Sequence, residues 1–304
     1  MKSEIKNIEA SVGAKLHNIA KASNMPYAEV LQYYGIERFI YRMSVSRHSD
    51  NFVLKGALLF MVWDVAGRRT TIDIDVLARM DNQVANVEKI VREVCGLEVK
   101  PDGLMFDAGT VRGQKIKEGA DYEGVRVKFF GMLERARIPM QIDFGFGDVV
   151  YPESRVIDYP VILDSDKPRL RGYPPESVIS EKFESMVKLG LLNSRMKDFY
   201  DVWLMIRRFD FDGGNLAESL HRTFQNRNTP IPYGKPLLAE EIYDLKSDRQ
   251  TLWTAFLKKN ELKNVPVKLG DVAGEIESFL IEILEALFAD REFTKTWKAP
   301  GPWV

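Results

Sequence analysis

The sequence predicts an α+β fold in which a mixed sheet is flanked by helical regions on both sides. Three observations favour this class. Apolar residues recur at helical spacing up to about residue 50, Gly-punctuated segments alternate apolar and polar residues in the middle of the chain, and helical periodicity returns after Pro152. We therefore predict an N-terminal helical region (1–50), a mixed α/β core (51–151) and a C-terminal helical region (152–304).

The composition is that of an ordinary globular protein. Lys plus Arg (43) nearly balance Asp plus Glu (44), so any site for a polyanion must come from a local cluster of basic residues. The single cysteine, Cys95, excludes an intramolecular disulfide and a zinc site built from several cysteines. With no secretory signal and no apolar run of 18 residues, we expect a cytoplasmic protein that does not engage a membrane.

Individual elements can be placed by their periodicity. Helices are predicted over Val12–Ala20, Val30–Tyr34, Ile36–Met43, 82–96 and 175–189, from Asn193-Ser194 to about Phe209, and two or three times within 238–290. Asn24 is a predicted cap for the helix that begins near Pro26. Strands are predicted over the alternating segment TIDIDV and over LMFDAGTV, YEGVRVKFFGML and RIPMQIDFGF.

The aspartates of TIDIDV form the first candidate site. Residues i and i+2 of a strand point to the same face, so we expect the Asp73 and Asp75 carboxylates and the Thr71 hydroxyl to lie side by side. Two like charges this close are costly unless a cation neutralises them. Mg²⁺ prefers one or two carboxylates plus phosphate oxygens, and one or two such ions would suit phosphoryl transfer. The alternative is a solvated face of an edge strand.

Asp143 is the third candidate carboxylate. It lies in the apolar segment MQIDFGF, where an acid is seldom found without a partner. If its strand lies beside that of Asp73 and Asp75, the three carboxylates converge. Asp143 would then be a metal ligand, or the base that accepts the proton of an attacking hydroxyl. Asp148 follows a glycine turn and is predicted to face water.

Two further features are candidates for contact with phosphate. Gly56 allows a close approach to the backbone, and N–H groups at a helix start can hold phosphate oxygens, although a packing contact is the alternative. Lys182 lies near the buried stripe of its helix, so its ammonium needs a counter-charge or a phosphate. Gly190 suggests a helical hairpin in which Lys182 and Asp198 face one cleft, and a purely structural salt bridge between them is the alternative.

Several segments, taken in order, resemble one family. They are IERFIYRMSVSRHSDNFVLKGALLF, GRRTTIDID, SVISEKFESMVKLGLLNSRMKDFYDVW and the closing W…GPWV, and together they are similar to the AbiEii/AbiGii family of nucleotidyltransferase-like toxins. The resemblance covers nearly the whole chain. It implies a DNA polymerase β-type nucleotidyltransferase core that uses an NTP with Mg²⁺ and adds nucleotides to tRNA acceptor ends. It also implies a toxin of a toxin–antitoxin or phage-abortive system, paired with a separately encoded antitoxin.

The resemblance implies roles for five of the candidate residues. Gly56 takes the place of the glycine of the first motif, and Asp73 and Asp75 take the places of the metal-binding pair. Lys182 is the implied contact to the nucleotide phosphates. Asp198 is the implied acidic residue of the last motif.

The sequence also departs from the family pattern. Ala57 follows the motif glycine where this superfold often has a hydroxyl residue, so one side-chain contact to phosphate is missing. Thr71 stands where a serine is usual and adds a methyl group. Asp143 is assigned by the general logic of the superfold and not by a family motif.

Other functions and RNA contacts stay open at this point. One alternative function is that of a metal-dependent phosphohydrolase or nuclease, which also uses clustered carboxylates. Another is a nucleotide-binding interaction protein that is not catalytic. Three basic clusters are candidates for contact with an RNA backbone, and the alternative for each is an ordinary solvated surface. They are Arg68 with Arg69, Arg126 with Lys128, and Arg207 with Arg208. The sequence does not name the NTP, the acceptor, the antitoxin or the oligomeric state.

Overall fold

A computed structural model describes residues 7–67, 69–117 and 123–304. The described residues form two compact units, one within Met1–Trp63, Thr71–Gly147 and Val156–Gly172, the other within Asp64–Thr70, Asp148–Arg155 and Tyr173–Val304. The N-terminal helices therefore belong to the same unit as the sheet. The border between the two units does not follow the predicted boundaries at residues 50 and 151.

The first unit is built on a seven-stranded sheet. Its strands are β1 (Phe52–Lys55), β2 (Asp73–Ala78), β3 (Met105–Lys117), β4 (Glu123–Leu133), β5 (Ala136–Phe146), β6 (Arg155–Asp158) and β7 (Arg169–Gly172). Its helices are α1 (Ile8–Ser23), α2 (Tyr27–Val45), α3 (Leu59–Val62) and α4 (Val84–Cys95). The strand order is β3-β4-β5-β2-β1-β7-β6, with parallel and antiparallel neighbours, which confirms the predicted mixed α/β core.

Alternation along the central strands separates a core face from a polar face. Ile74 and Val76 of β2 and Ile142 of β5 are fully buried, as expected for residues that face the apolar interior. Asp73 and Asp75 alternate with Ile74 and Val76 along β2 and therefore project from the opposite face. This polar face is where the candidate carboxylates are gathered.

Three predicted details are wrong. The strand predicted over TIDIDV begins at Asp73, so Thr71 precedes β2. Asn24 ends α1 with left-handed backbone (φ 53°) and does not begin the next helix. The sheet also continues beyond Pro152, because β6 and β7 are added to it; these strands are too short and too rich in arginine for their pattern to predict them.

The second unit is mostly helical. It contains α5 (Pro175–Leu189), α6 (Met196–Ile206), α7 (Gly213–Asn226), α8 (Asp248–Lys259) and α9 (Leu269–Phe288), with a short antiparallel pair of β8 (Phe211–Asp212) and β9 (Thr296–Trp297). The predicted helix over 175–189 is confirmed. The next predicted helix ends at Ile206, earlier than expected. Across the described residues, the helices are too short or too polar to cross a membrane.

Candidate functional site

The polar face of the sheet brings the three candidate aspartates together. β2 and β5 are parallel neighbours, with Asp75 in register with Asp143 and Asp73 in register with Gln141. The Gln141 amide donates a hydrogen bond of 2.9 Å to Asp73 Oδ1, so both side chains are on the same side of the sheet. Adjacent strands are about 4.8 Å apart, so the carboxylates of Asp75 and Asp143 are close neighbours.

Arg126 of β4 clamps Asp143. It is in register with Asp143, and its Nε and Nη2 donate hydrogen bonds of 2.8 and 2.6 Å to the two carboxylate oxygens. This fork geometry is the strongest form of an Arg–carboxylate contact. On the other side of the pair, Lys55 of β1 is in register with Asp75 and is buried. We call Arg126, Asp143, Asp75 and Lys55 the carboxylate row.

In the carboxylate row, two central carboxylates are flanked by two cations. The hydrogen bonds to Asp143 raise the pKa of the Arg126 guanidinium, burial opposes this, and the charges of Asp143, Asp73 and Asp75 raise it further. The guanidinium therefore responds to all three aspartates. Its positive charge offsets part of the repulsion that three neighbouring carboxylates would otherwise create.

Gly56 follows β1 directly and makes room for the Asp75 carboxylate. Its φ of +73° lies in the left-handed region that favours glycine. A Cβ built at this position would lie 2.2 Å from Asp75 Oδ2, far inside van der Waals contact. The predicted role of Gly56 in a close backbone approach is therefore explained by a carboxylate within the protein.

The donor set fits a hard divalent cation with one condition. Asp73 and Asp75 supply carboxylate oxygens on one face, as Mg²⁺ prefers. Arg126 engages both oxygens of Asp143, so a metal ion bound here would share an oxygen with the guanidinium or displace one of its two hydrogen bonds. Within residues 7–67, 69–117 and 123–304, no preformed group of three or more His, Cys, Asp or Glu side chains has the arrangement of a metal site.

Lys182 lies in the second unit, where α5 and α6 pack together. Its Nζ is 2.7 Å from Asp198 Oδ1 and 2.9 Å from Asp201 Oδ2. Burial disfavours charge at both partners, but the two carboxylates outweigh it and raise the pKa of Lys182, while Lys182 and Arg195 lower the pKa of Asp198. The salt bridge that the sequence left as an alternative is present. A contact of Lys182 with phosphate stays a prediction.

Two other charged residues, Arg69 and Asp148, form salt bridges that the sequence did not predict. Arg69, a candidate for RNA contact, forks onto Asp201 with two hydrogen bonds of 3.0 Å. Arg68 lies outside the described residues. Asp148 does not face water: its side chain is 2% exposed and accepts a hydrogen bond of 2.8 Å from Arg227. The prediction for Asp148 failed because its partner is 79 residues away in sequence.

The sequence did not predict the partner of Arg126. Its pattern places it in a basic cluster with Lys128. In the structure, the Arg126 guanidinium binds Asp143, whereas Lys128 is exposed. Alternation along the strand predicts the face on which Arg126 lies, because its neighbours Val125 and Val127 are apolar. Alternation thus predicts the face of Arg126. Its partner, Asp143, follows only from the register between β4 and β5.

Comparison with known proteins identifies the family. Residues 38–279 match the family described as nucleotidyl transferase AbiEii toxin, type IV TA system. The chain belongs to this family. It is therefore a nucleotidyltransferase of the AbiEii toxin family. The match spans both the carboxylate row and Lys182 with Asp198 and Asp201, which we call the Lys182 cluster.

Two solved structures from Helicobacter pylori are distantly similar to this AbiEii family member. One is JHP933, with 15% identity over 83% of this chain and 92% of that chain, at a TM-score of 0.41. The other is a candidate nucleotidyltransferase, with 16% identity over 82% of this chain and 93% of that chain, at a TM-score of 0.40. A search of curated proteins finds no match.

Proposed function

We propose that this AbiEii family member transfers an NMP from an NTP to a hydroxyl group of RNA, with tRNA as the acceptor. The observation that carries the proposal is the register of Asp75 with Asp143 on adjacent parallel strands, with Asp73 on the same face. Family membership supports transfer over hydrolysis. We place the activity in the cytoplasm, where NTPs and tRNA are available.

In this proposal Asp73 and Asp75 hold Mg²⁺, which when bound neutralises charge on the triphosphate and stabilises the attacking and leaving oxygens. Asp143 is either a further ligand or the base for the attacking hydroxyl. In either role Asp143 would share an oxygen with Arg126 or release one of the two hydrogen bonds that Arg126 donates. Arg126 would then hold the other oxygen and fix the orientation of the carboxylate.

We also propose contacts with the nucleotide for three further residues, Gly56, Thr71 and Lys182. Gly56 follows β1 beside Asp75, and we propose that a phosphate approaches the backbone N–H groups that follow it. Thr71 lies just before β2 and is half-buried. Lys182 can serve a phosphate only by sharing an ammonium already held by two carboxylates.

The test is transfer of a radiolabelled nucleotide. The purified protein is incubated with total RNA, Mg²⁺ and each α-³²P-labelled NTP in turn, with Asp73→Ala as the inactive variant and EDTA as the metal-free condition. We expect label on RNA with at least one NTP, and none with the variant or with EDTA. Absence of label with all four NTPs would overturn the proposal.

The same assay separates the competing enzyme function. A nuclease would shorten the RNA and release nucleotide without incorporating label. A protein that binds nucleotide without catalysis would leave the RNA unchanged. Its effect on cells would also survive Asp73→Ala, because no chemistry depends on that carboxylate.

A separately encoded antitoxin is the partner we propose, on the basis of the type IV system named for the family. Controlled expression in a bacterial host should arrest growth, and co-expression of the adjacent gene should restore it. Asp73→Ala should abolish the arrest while the protein accumulates to the same level. Arrest by the variant would contradict a toxicity that depends on transfer.

A further inference from the structure

The polar face of the sheet extends beyond the carboxylates and becomes basic. Arg112 of β3 is in register with Lys128 of β4, Lys128 with Gln141 of β5, and Gln141 with Asp73 of β2. The hydrogen bond from Gln141 to Asp73 shows that this row is continuous on one face. Since strands are about 4.8 Å apart, Lys128 lies about 10 Å and Arg112 about 14 Å from Asp73 along the row.

A third basic residue lies on the same face. Arg137 is four residues before Gln141 on β5, so the strand's alternation places both on one side. Its guanidinium lies 3.4 Å from the centroid of the Phe130 ring, and Phe130 is two residues from Lys128 on β4. The guanidinium and the half-buried ring thus form one stacked surface beside Lys128. We call Arg112, Lys128, Arg137 and Phe130 the basic strip.

The basic strip is open to solvent while the opposite face is core. Arg112, Lys128 and Arg137 are exposed. By contrast, Val111, which alternates with Arg112 on β3, and Val127 and Phe129, which alternate with Lys128 on β4, are buried. Asp107 is an acid on this side of β3, and its Oδ1 accepts a hydrogen bond of 2.9 Å from the Gly109 N–H of its own strand. In a protein of net charge -1, this is a local excess of positive charge next to the candidate reaction centre.

The sheet order gives the two ends of this face different properties. Lys55 and Gly56 lie on the β1 side of the aspartates, and the basic strip lies on the β4 and β3 side. In-line nucleotidyl transfer requires the attacking and leaving oxygens to be on opposite sides of the phosphorus. With the triphosphate on the Gly56 side, the acceptor hydroxyl must come from the side of Asp143 and the basic strip.

We propose that the basic strip binds the phosphodiester backbone of the acceptor RNA and leads its terminal hydroxyl to Asp143. Arg112 and Lys128 contact phosphates, and the Phe130 face with Arg137 stacks against a base. This inference rests on the proposed transfer function and adds the side of the sheet from which the acceptor enters.

The test compares two charge-removing variants on one sheet. Arg112→Ala/Lys128→Ala removes two charges from the basic strip, and Lys115→Ala removes one from the opposite side of β3, where it is also exposed. The probe is a fluorescein-labelled single-stranded RNA with a free 3′ hydroxyl, titrated by anisotropy at several salt concentrations. NTP binding is measured separately by calorimetry, and thermal unfolding verifies that each variant is folded.

We expect the double variant to bind the RNA at least about ten-fold more weakly at low salt. The slope of log K against log salt should fall by about 1.4, since each phosphate contact on a single strand contributes about 0.7. Lys115→Ala and NTP binding should be unaffected. Unchanged RNA affinity and slope in the double variant, or an equal loss in Lys115→Ala, would overturn the inference.

The two proposals can fail separately. If wild-type protein labels RNA while the double variant binds RNA normally, transfer stands and the basic strip is excluded as the acceptor site. If the double variant loses RNA binding and wild-type protein transfers no label, the surface binds RNA but does not serve a transferase.

Discussion

The Asp75 carboxylate occupies the space that a side chain on Gly56 would need. A Cβ at position 56 would lie 2.2 Å from Asp75 Oδ2, and the backbone there has φ of +73°. The glycine thus lets a candidate metal ligand pack against the end of β1. The link between the motif glycine and the aspartate pair is therefore steric.

Gly56→Ala should damage both stability and activity. The left-handed backbone costs about 1–3 kcal/mol for a residue with a Cβ, and relief of the clash must displace Asp75. We expect a lower urea midpoint and loss of NMP transfer. Gly274→Ala is the matched control, because Gly274 lies inside α9 with open space around it, and alanine there should be neutral or stabilising. Wild-type transfer by Gly56→Ala would show that Asp75 does not need its present position.

Arg126→Gln should destabilise the carboxylate row and make it more responsive to divalent cations. Removal of the guanidinium leaves Asp143 beside Asp75 without its cation, which we expect to cost about 1–3 kcal/mol. Mg²⁺ should then recover more stability in this variant than in wild-type protein, because a cation can replace the lost charge. Thermal unfolding with and without Mg²⁺ measures this, and Arg135→Gln in the exposed β4–β5 turn is the control. An equal Mg²⁺ effect in all three proteins would argue against a cation at the row.

The Lys182 cluster should behave as one coupled unit. Lys182→Met leaves the Asp198 and Asp201 carboxylates buried without their shared cation, and breaking a buried ion pair costs about 3–5 kcal/mol. Adding Asp198→Asn should restore part of this loss, because one of the two carboxylates that shared Lys182 loses its charge. Urea unfolding of the single and double variants gives the coupling free energy, with Lys188→Met on the same helix as the control. Additive losses would contradict the coupling.

Glu37 should make stability depend on pH. Burial raises the pKa of this carboxyl to about 7, although Arg38 and the Ile162 N–H oppose the shift. The folded state therefore holds the proton more tightly than the unfolded state, whose ordinary value is 4.5. This contribution is fully present below pH 4.5 and is lost as pH rises to about 7, a change of about 3 kcal/mol.

Glu37→Gln should flatten that dependence. A neutral amide can still accept the Ile162 hydrogen bond but does not titrate. Urea unfolding at intervals between pH 4.5 and 8 compares the two proteins. Equal slopes in wild-type and variant protein would mean that Glu37 is not the group responsible.

Local pattern predicted a good part of the sheet and of the carboxylate pair. Alternation around Asp73 and Asp75 is enough to place both side chains on one face, because the period of a strand is two. The helix over 175–189 was likewise predictable from its proline at the start and its glycine at the end.

Register between strands was beyond what the sequence alone could provide. A slip of two residues between β4 and β5 would keep Arg126 on its face but move it away from Asp143, and alternation alone does not exclude such a slip. The same holds for Lys55, whose pairing with Asp75 depends on the register between β1 and β2. Asp148 was misjudged for a related reason, since its partner Arg227 comes from a distant helix end.

The most direct test of the central claim is the rate of NMP transfer to RNA by Asp75→Asn under single-turnover conditions. This variant keeps the shape of the side chain and removes the charge of the central carboxylate, and Asp158→Asn on the exposed strand β6 is the control. We expect Asp75→Asn to fold normally and to lose at least about 100-fold in rate, while the control is unchanged. Transfer by a folded Asp75→Asn within ten-fold of the wild-type rate would contradict a reaction centre built on the carboxylate row.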